Sequence, residues 1–407
     1  MMMIIPTCRR TVSATVGPRP HTTQPSARGG VVTSALGLAR RRGAATGGST
    51  TGPTSDGRGR LGRELGSAGL RRTGRFGTRG VARDSGDEVS LARLLEERAS
   101  FTDDVSGADE IMSFVDSPDA VGFADAAHRM AMLYLWNGRV ARSLELYQKV
   151  FERLIPAGGI LYEPEALIWY TLDAFHAGDG DRADAILARL LEDVPRRSPH
   201  TRQHAYALRT FLPFARGDWA RVASSRQELA ELVDGNPETG FCIIGAAGLA
   251  YGAVADILSG RFSDGLDEVV ARMVPDSPLV QASSVMMPHA MEGDQAAVDQ
   301  GLKAYGPGLR LWDRERTWDN FDLMPGIALT MLERWDDLRP SLARLDLFSE
   351  GGSRVARALA AAIREEEAAA KGGPAPTHRD LQALGCAGLS ELLRFRSTSK
   401  AAGLNAS

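Results

Sequence analysis

Lysine is scarce in this chain, and the common sequence signatures of enzymes are missing. Four lysines (Lys149, Lys303, Lys371, Lys400) stand against 44 arginines, and none of the four follows a glycine. A P-loop requires Gly-Lys-Ser/Thr, so a Walker-type nucleotide site within the chain is excluded. The sequence also has no GxSxG, HExxH or EF-hand pattern, and no dinucleotide-binding fingerprint after a strand. We therefore predict a chain that is not an enzyme, with no catalytic residues, no metal site and no cofactor.

Cysteine is almost as scarce as lysine. Cys8, Cys242 and Cys386 lie far apart, and none of them forms a CxxC pair. A disulfide framework and a zinc knuckle are therefore not expected, and a reducing compartment fits this usage. We predict a cytoplasmic protein. The alternative is an organelle matrix, if the N-terminal residues are a transit peptide.

Residues 1–83 lack lysine, contain only two acids (Asp56 and Glu64) and have one aromatic residue, Phe76. Their 15 arginines give a net charge of +13, whereas residues 84–407 have a net charge of −16. A segment of this composition cannot bury enough apolar surface to offset the entropy lost on ordering. We therefore predict that residues 1–86 are a disordered basic tail.

Four interpretations of this tail are open. An Arg-rich, Ser/Thr-rich, acid-poor start is typical of organelle transit peptides. Clustered positive charge can instead bind nucleic acid or anionic lipid. Arg9-Arg10 suggests a twin-arginine signal, although the apolar stretch at Val31–Ala39 is short and interrupted. The interpretation that we favour is an unstructured extension.

The stretch Glu165–Val194 shows the pattern that organises the rest of the chain. An apolar run ends at His176, the turn Gly178-Asp179-Gly180-Asp181 follows, and apolar residues then recur at three- and four-residue steps from Ala183 onward. A helical period, a glycine break and an acidic first turn before a second helical period predict a helical hairpin.

The same pattern recurs along the chain. Turn markers stand at positions 138, 178, 217, 260, 293 and 334, so the repeat is about 39 residues long. A period of roughly 20 to 50 residues is typical of solenoids, in which each hairpin packs against its neighbours. We predict an all-α, right-handed solenoid of about six hairpins. Its predicted segments are a short helical lead-in (87–118), the repeats (119–347), C-terminal capping helices (348–397) and a frayed tail (398–407).

The fourth hairpin contains the most apolar stretch. Phe241–Ala255 has no charged residue, but these 15 residues are fewer than the 20 or so that cross a bilayer. The stretch also contains Gly245, Gly248 and Gly252, which would let a neighbouring helix approach closely. We predict a buried inner helix and no membrane span.

The turns, with the form [L/F]-x-x-G-[D/R]-x-x-x-[A/L], resemble tetratricopeptide-like repeats. Together with the segment Leu381–Arg396, the six hairpins are similar to the helical-repeat region that ends large bacterial signalling proteins. Those proteins carry a nucleotide cyclase or an AAA/STAND-type ATPase ahead of the repeats, and some are transcriptional regulators. The resemblance covers about residues 120–396 and places no catalytic residue on this chain.

Several side chains are candidates for binding, but each also has a structural interpretation. His200 and His204 have the spacing of two metal ligands, yet no third ligand is evident nearby. His128, His176 and His289 are interpreted as packing residues. Trp136, Trp169, Trp219 and Trp335 lie at turns or on inner faces, where core packing is the first interpretation. Aromatic residues that could instead line a groove and anchor a partner are Tyr134, Trp169, Tyr170, Tyr206 and Tyr251. The glycines predicted to be structural joints of the turns are Gly138, Gly178, Gly217, Gly260 and Gly293.

These observations favour a non-enzymatic scaffold or regulatory module that binds a protein or peptide in the groove of the solenoid, in signalling or transcriptional control. One alternative is a nucleic-acid-associated regulator that uses the basic tail. Another is a helical-repeat enzyme with an unrecognised site in the groove.

Overall fold

The computed structural model describes residues 123–158, 163–236, 243–261, 265–274, 278–303 and 319–395. The predicted basic tail (1–86), helical lead-in (87–118) and frayed tail (398–407) lie outside these ranges. Within them the chain forms sixteen α-helices and no strand, which confirms the all-α prediction.

The helices of the first four hairpins are α1 Ala124–Trp136, α2 Val140–Lys149, α3 Glu163–His176, α4 Gly180–Asp193, α5 Pro199–Arg216, α6 Trp219–Asp234, α7 Ile243–Leu258 and α8 Leu266–Met273. The remaining helices are α9 Pro278–Ser284, α10 Met286–Glu292, α11 Gln295–Leu302, α12 Asp319–Met331, α13 Leu338–Glu350, α14 Arg354–Ala370, α15 Arg379–Ala383 and α16 Ala387–Arg394. A π-helical turn, Val150–Leu154, extends α2, and 3₁₀ turns lie at Val194–Arg196 and Trp335–Asp337.

The turn between α3 and α4 shows how the sequence produces a hairpin. Gly178 has a φ of 75°, in the left-handed region where the missing Cβ removes the steric cost. Its N–H donates to the Phe175 carbonyl (2.8 Å), and the N–H of Asp179 donates to the Ala174 carbonyl (2.9 Å). The Asp179 carboxylate then accepts the N–H of Arg182 at 3.1 Å and caps α4. One Gly-Asp pair therefore ends one helix and starts the next.

The same turn recurs at Gly217-Asp218 and Gly293-Asp294, where each aspartate again caps the following helix. The turn between α12 and α13 has the same pair of backbone bonds but places Glu333 in the left-handed position, with a φ of 54°. The turn is therefore set by backbone hydrogen bonds that a residue other than glycine can also complete.

In the fifth hairpin, the apolar stretch Leu279–Met291 before the turn at Gly293 does not form one continuous helix. The structure divides this stretch into α9 and α10, with a break at Val285. Pro288 explains the break, because it has no N–H to donate to the carbonyl of Ser284 and its ring crowds that carbonyl.

Helix α7 is the most deeply buried element, and its glycines allow close packing, as the sequence predicts. Every residue from Ile243 to Asp256 is buried. A Cβ on Gly248 would lie 2.8 Å from Cα of Ala207, and a Cβ on Gly252 would overlap the side chain of Arg226. Helices α5 and α6 therefore approach the backbone of α7 directly.

The C-terminal helices pack against the turns of the first three hairpins. Gly351, after α13, lies against Gly138, and the carbonyl of Gly351 accepts the N–H of Ala141 at 2.9 Å. On α16, Gly388 lies so close to Gly217 that a Cβ on Gly388 would overlap the backbone of that turn. These contacts join segments distant in the sequence, which packing between sequence neighbours alone does not predict.

Two side-chain hydrogen bonds also join the C-terminal helices to the hairpins. Nδ1 of His176, at the end of α3, lies 3.0 Å from Oγ of Ser353, and that hydroxyl also accepts the N–H of Ala356 to cap α14. Farther along, Nε1 of Trp219 donates to Oε2 of Glu391 on α16 at 2.9 Å. Residues 172 and 177 positions apart are thus joined directly.

Candidate functional site

Four of the five aromatic residues predicted to line a groove lie in the core. The exposed fractions are 1% for Tyr134, 7% for Trp169, 7% for Tyr170 and 2% for Tyr251. Only Tyr206 is half-buried, and its ring lies 5.9 Å from the guanidinium carbon of Arg209. The buried four present almost no side-chain surface to a partner.

The neighbours of these rings explain their burial. Tyr170 stacks against Tyr147 and Phe151, with centroid distances of 5.6 and 5.3 Å. The ring centroid of Tyr251 lies 5.4 Å from that of Phe211 and 4.8 Å from that of Phe214, and burial raises the pKa of its hydroxyl. Aromatic pairs at these distances stabilise a core beyond the area that they bury. These rings are therefore part of the packing between hairpins.

The five glycines predicted as structural joints all lie in turns with φ between 73° and 81°. They are Gly138, Gly178, Gly217, Gly260 and Gly293. The C-terminal helices cover the first three, whereas a Cβ on Gly260 would meet no atom within 4 Å. Three of the five turns are therefore contact surfaces as well, and the sequences of the turns do not show which three.

A groove between α13 and α14 is the candidate binding surface. It has a volume of about 340 Å³. Its apolar lining consists of Trp335, Leu338, Leu342 and Ala343. Trp335 and Leu342 pack on the core but stay partly exposed, and Ala343 is exposed. The groove therefore offers apolar surface to a side chain that enters from outside.

Charged residues border this apolar surface. Nη2 of Arg364 on α14 donates to both oxygens of Asp346 on α13, at 2.9 and 2.7 Å. Glu367 accepts from Nζ of Lys371 at 2.5 Å. Arg339, also on α13, is exposed and has no acidic partner within the described residues. Both acids of the lining are thus paired, and Arg339 is left to interact with a carboxylate.

In the sequence, Trp335 stands at a turn, and Leu338 and Leu342 follow it at a helical spacing as one apolar stripe. It does not indicate that this stripe stays open on one side. The available signal is the spacing of Arg339, Asp346 and Arg364, which puts charges along both helices beside the stripe. Such a pattern also describes the solvated rim of a closed helix pair, so only the structure identifies the groove.

The histidines divide into buried and partly exposed residues. His128 and His176 are 4% and 0% exposed, and burial lowers the pKa of each to about 4. Nδ1 of His128 lies 3.1 Å from the Tyr147 hydroxyl. His289 is half-buried and lies 3.1 Å from a carboxylate oxygen of Asp267. The structure thus gives each of these three a hydrogen-bonded packing position.

The pair that has metal-ligand spacing is close in space. The rings of His200 and His204 have centroids 4.4 Å apart in an edge-on arrangement. Within the described ranges, no group of three or more His, Cys, Asp and Glu residues could hold a metal ion. Among the residues that the structure describes, the pair has no third ligand of the kind that a stable site needs.

No protein-family model, curated protein or solved structure matches this chain. Among the helices of the described ranges, none combines the length and the hydropathy needed to cross a membrane.

Proposed function

We propose that this protein is a non-enzymatic interaction module that holds a partner peptide in the groove between α13 and α14. The observation that carries the proposal is the partly exposed apolar surface of Trp335 and Leu342 beside the exposed Arg339, which has no acidic partner among the residues that the structure describes. Tryptophan and arginine, together with tyrosine, are enriched among the residues that carry most of the binding energy at protein interfaces. A partner that inserts an apolar side chain and presents a carboxylate to Arg339 fits this surface.

The fold supports the proposal by holding both walls of the groove firmly. Leu338 and Leu345 on α13, and Leu359 and Ile363 on α14, are each at most 1% exposed. The groove therefore lies on two helices anchored in the core, and binding would order few residues.

We propose further that the six hairpins form a right-handed, tetratricopeptide-like solenoid closed by C-terminal capping helices. Two observations support this arrangement. The turns share one backbone motif, and α5, α7, α10 and α12 pack in that order along the chain. The repeat regions that these hairpins resemble end bacterial signalling proteins, some of which are transcriptional regulators, and we propose the same setting for this chain.

The test is a peptide selection on the intact protein. A random peptide library is panned on the wild-type chain, and the affinity of the enriched peptides is then measured by calorimetry on wild type and on two variants. Ala343→Arg fills the groove without removing a core residue, and Ala368→Arg makes the same change at an exposed position of α14 outside the groove lining.

We expect enriched peptides with an apolar residue near an acid. Their affinity should fall at least tenfold for Ala343→Arg and stay unchanged for Ala368→Arg. Peptides that bind both variants as well as wild type would place the interaction elsewhere and overturn the proposal.

Residues 1–83 favour a second candidate function, association with nucleic acid, because they carry a net charge of +13. Binding of this kind depends steeply on salt, since each neutralised phosphate releases counterions. Filter binding of duplex DNA and of RNA by the full chain and by a chain lacking residues 1–83 tests it. Affinity that depends on neither salt nor the tail would contradict this candidate.

A further inference from the structure

Two exposed arginines lie along the seam between α13 and α14. Arg339 belongs to the lining of the groove, near the start of α13. Arg357 on α14 donates from Nε to Oγ of Ser349, near the end of α13, at 3.2 Å. Among the residues that the structure describes, neither arginine has an acidic partner. The two positions on α13 are about 15 Å apart. A ligand that lies along the seam therefore meets a positive charge towards each end.

The sequence contains one segment that combines acids with apolar residues and has no base. Residues 103–119, which lie outside the described ranges, read DDVSGADEIMSFVDSPD and carry six acids. Ile111 and Met112 directly follow Glu110, and Phe114 stands two residues before Asp116. An apolar side chain next to a carboxylate is the combination that suits the groove. The segment therefore has the chemistry that we propose for a partner peptide.

The charge of the protein restricts where this segment can dock. Residues 84–407 have a net charge of −16, and they remain acidic when residues 103–119 are left out. Like charges that face each other across a contact oppose binding, whereas complementary charges select the partner and its position. The seam between α13 and α14 offers Arg339 and Arg357 beside an apolar surface. This is the kind of surface that an acidic, apolar segment selects on an acidic body.

The groove lies within reach of the segment. Phe123 precedes α1, so it is about 22 Å from Gly138 at the far end of that helix. Gly138 lies against Gly351, and Leu342 stands about 14 Å back along α13. Phe123 is therefore no more than about 40 Å from Leu342, whatever the angles between the helices. The chain from Ile111 to Phe123 spans up to about 40 Å when extended.

We propose that residues 103–119 dock in the groove between α13 and α14 of their own chain and compete there with the partner peptide. Apolar side chains of the segment contact Trp335 and Leu342, and its carboxylates face Arg339 and Arg357. The inference rests on the proposed function, because both need a groove that accepts an apolar side chain beside an acid. A short tether gives the segment an effective concentration of about millimolar, so even weak docking lowers the affinity for a peptide from outside.

A photocrosslinker in the full chain tests the docking directly. The photoreactive amino acid p-benzoylphenylalanine replaces Phe114, which keeps an aromatic side chain at this position. After irradiation of a dilute solution, monomeric and dimeric products are separated, and the crosslinked peptides are identified by mass spectrometry. We expect crosslinks within single chains to α13 and α14. Their yield should fall at least threefold when Ala343→Arg fills the groove and should stay unchanged with Ala368→Arg.

Peptide affinity gives the second readout. Calorimetry with a peptide enriched on the wild-type chain compares that chain with Ile111→Ser/Phe114→Ser and with Leu91→Ser/Leu94→Ser. The second pair makes the same change at the same spacing outside residues 103–119. Removal of the competing side chains should raise the affinity about threefold or more, whereas the control pair should bind as wild type does.

The outcomes separate this inference from the proposed function. Crosslinks centred on other helices, or formed mainly between two chains, would overturn docking within the chain. If an enriched peptide still loses affinity with Ala343→Arg, the proposed function stands without it. Equal peptide affinity in wild type and Ile111→Ser/Phe114→Ser would also overturn the competition. Crosslinks to α13 and α14 without any enriched peptide would support the docking and count against an outside partner.

Discussion

Acidification should destabilise the protein through two buried histidines, His128 and His176. Burial holds the pKa of each ring at about 4 in the folded chain, whereas an unfolded histidine has a pKa near 6.5. Between these values the unfolded state binds more protons than the folded state. Stability is therefore complete above about pH 6.5, falls as the pH drops towards 4, and loses no more from these groups below that.

The magnitude follows from the difference in proton affinity. A shift of one pKa unit corresponds to about 1.4 kcal/mol. Each ring therefore lowers the free energy of unfolding by about 3 kcal/mol once it is protonated in both the folded and the unfolded state. At pH 5 the cost is about 2 kcal/mol for each ring and about 4 kcal/mol for the two together. This is a large part of the total stability of an ordinary domain, which is roughly 5 to 15 kcal/mol.

Urea unfolding followed by far-ultraviolet circular dichroism, at about pH 7.5 and pH 5, measures the effect. The perturbed protein is the double variant His128→Asn/His176→Asn. Asparagine puts an amide group near the position of Nδ1, which lies 3.1 Å from the Tyr147 hydroxyl and 3.0 Å from the Ser353 hydroxyl in the two sites. The double variant should lose about 4 kcal/mol less free energy of unfolding than wild type between the two pH values.

His289→Asn is the matched control. This histidine is half-buried beside Asp267. Its replacement should leave the pH-dependent loss of stability as large as in wild type. A double variant that loses as much free energy of unfolding as wild type would refute the reasoning, because burial of the two rings would then not govern the acid sensitivity.

Three further substitutions test the contacts that hold the helices together, each read by urea unfolding at neutral pH. Ser353→Ala removes both a helix cap and the partner of a buried histidine, so it should cost about 2 kcal/mol, against about 1 kcal/mol for the exposed cap variant Ser198→Ala. Gly388→Ala forces a methyl group into the turn between α5 and α6 and should cost about 1 to 3 kcal/mol. Asp256→Asn removes the buried charge that pairs with Arg226 and Arg261, and about 2 kcal/mol should be lost.

For each of these three substitutions, one outcome would contradict the expected loss of stability. If Ser353→Ala and Ser198→Ala lose the same free energy of unfolding, the contact between α3 and α14 adds no stability. For Gly388→Ala, unchanged stability would show that α16 does not press on the turn. An Asp256→Asn protein as stable as wild type would mean that the two arginines do not need the carboxylate.

The hairpins could be predicted from the sequence because their causes are local. Gly178-Asp179 fixes one turn through hydrogen bonds that span only a few residues, and the apolar period on each side fixes the two helices. The burial of α7 was predictable for the same reason, since a charge-free stretch that is too short to cross a bilayer favours the protein core, and its glycines allow close packing. Pro288 carries a local signal as well, because a residue without an N–H marks the break between α9 and α10.

The contacts that determine the candidate site are not local. No sequence period indicates that α16 returns to the turn at Gly217, or that Ser353 meets His176 across 177 positions. Without those contacts, Tyr134 and Tyr251 cannot be distinguished from residues that line an open groove. Trp335 presents the opposite case, because its position beside a turn predicts packing, whereas the structure leaves it partly exposed in the groove between α13 and α14.

Hydrogen–deuterium exchange with and without a saturating peptide from the selection is the most direct measurement of the proposed function. We expect slower exchange in α13 and α14, around Arg339 and Arg364, and little change elsewhere, including the surface near Tyr206. Protection centred on Tyr206, with α13 and α14 unchanged, would contradict it.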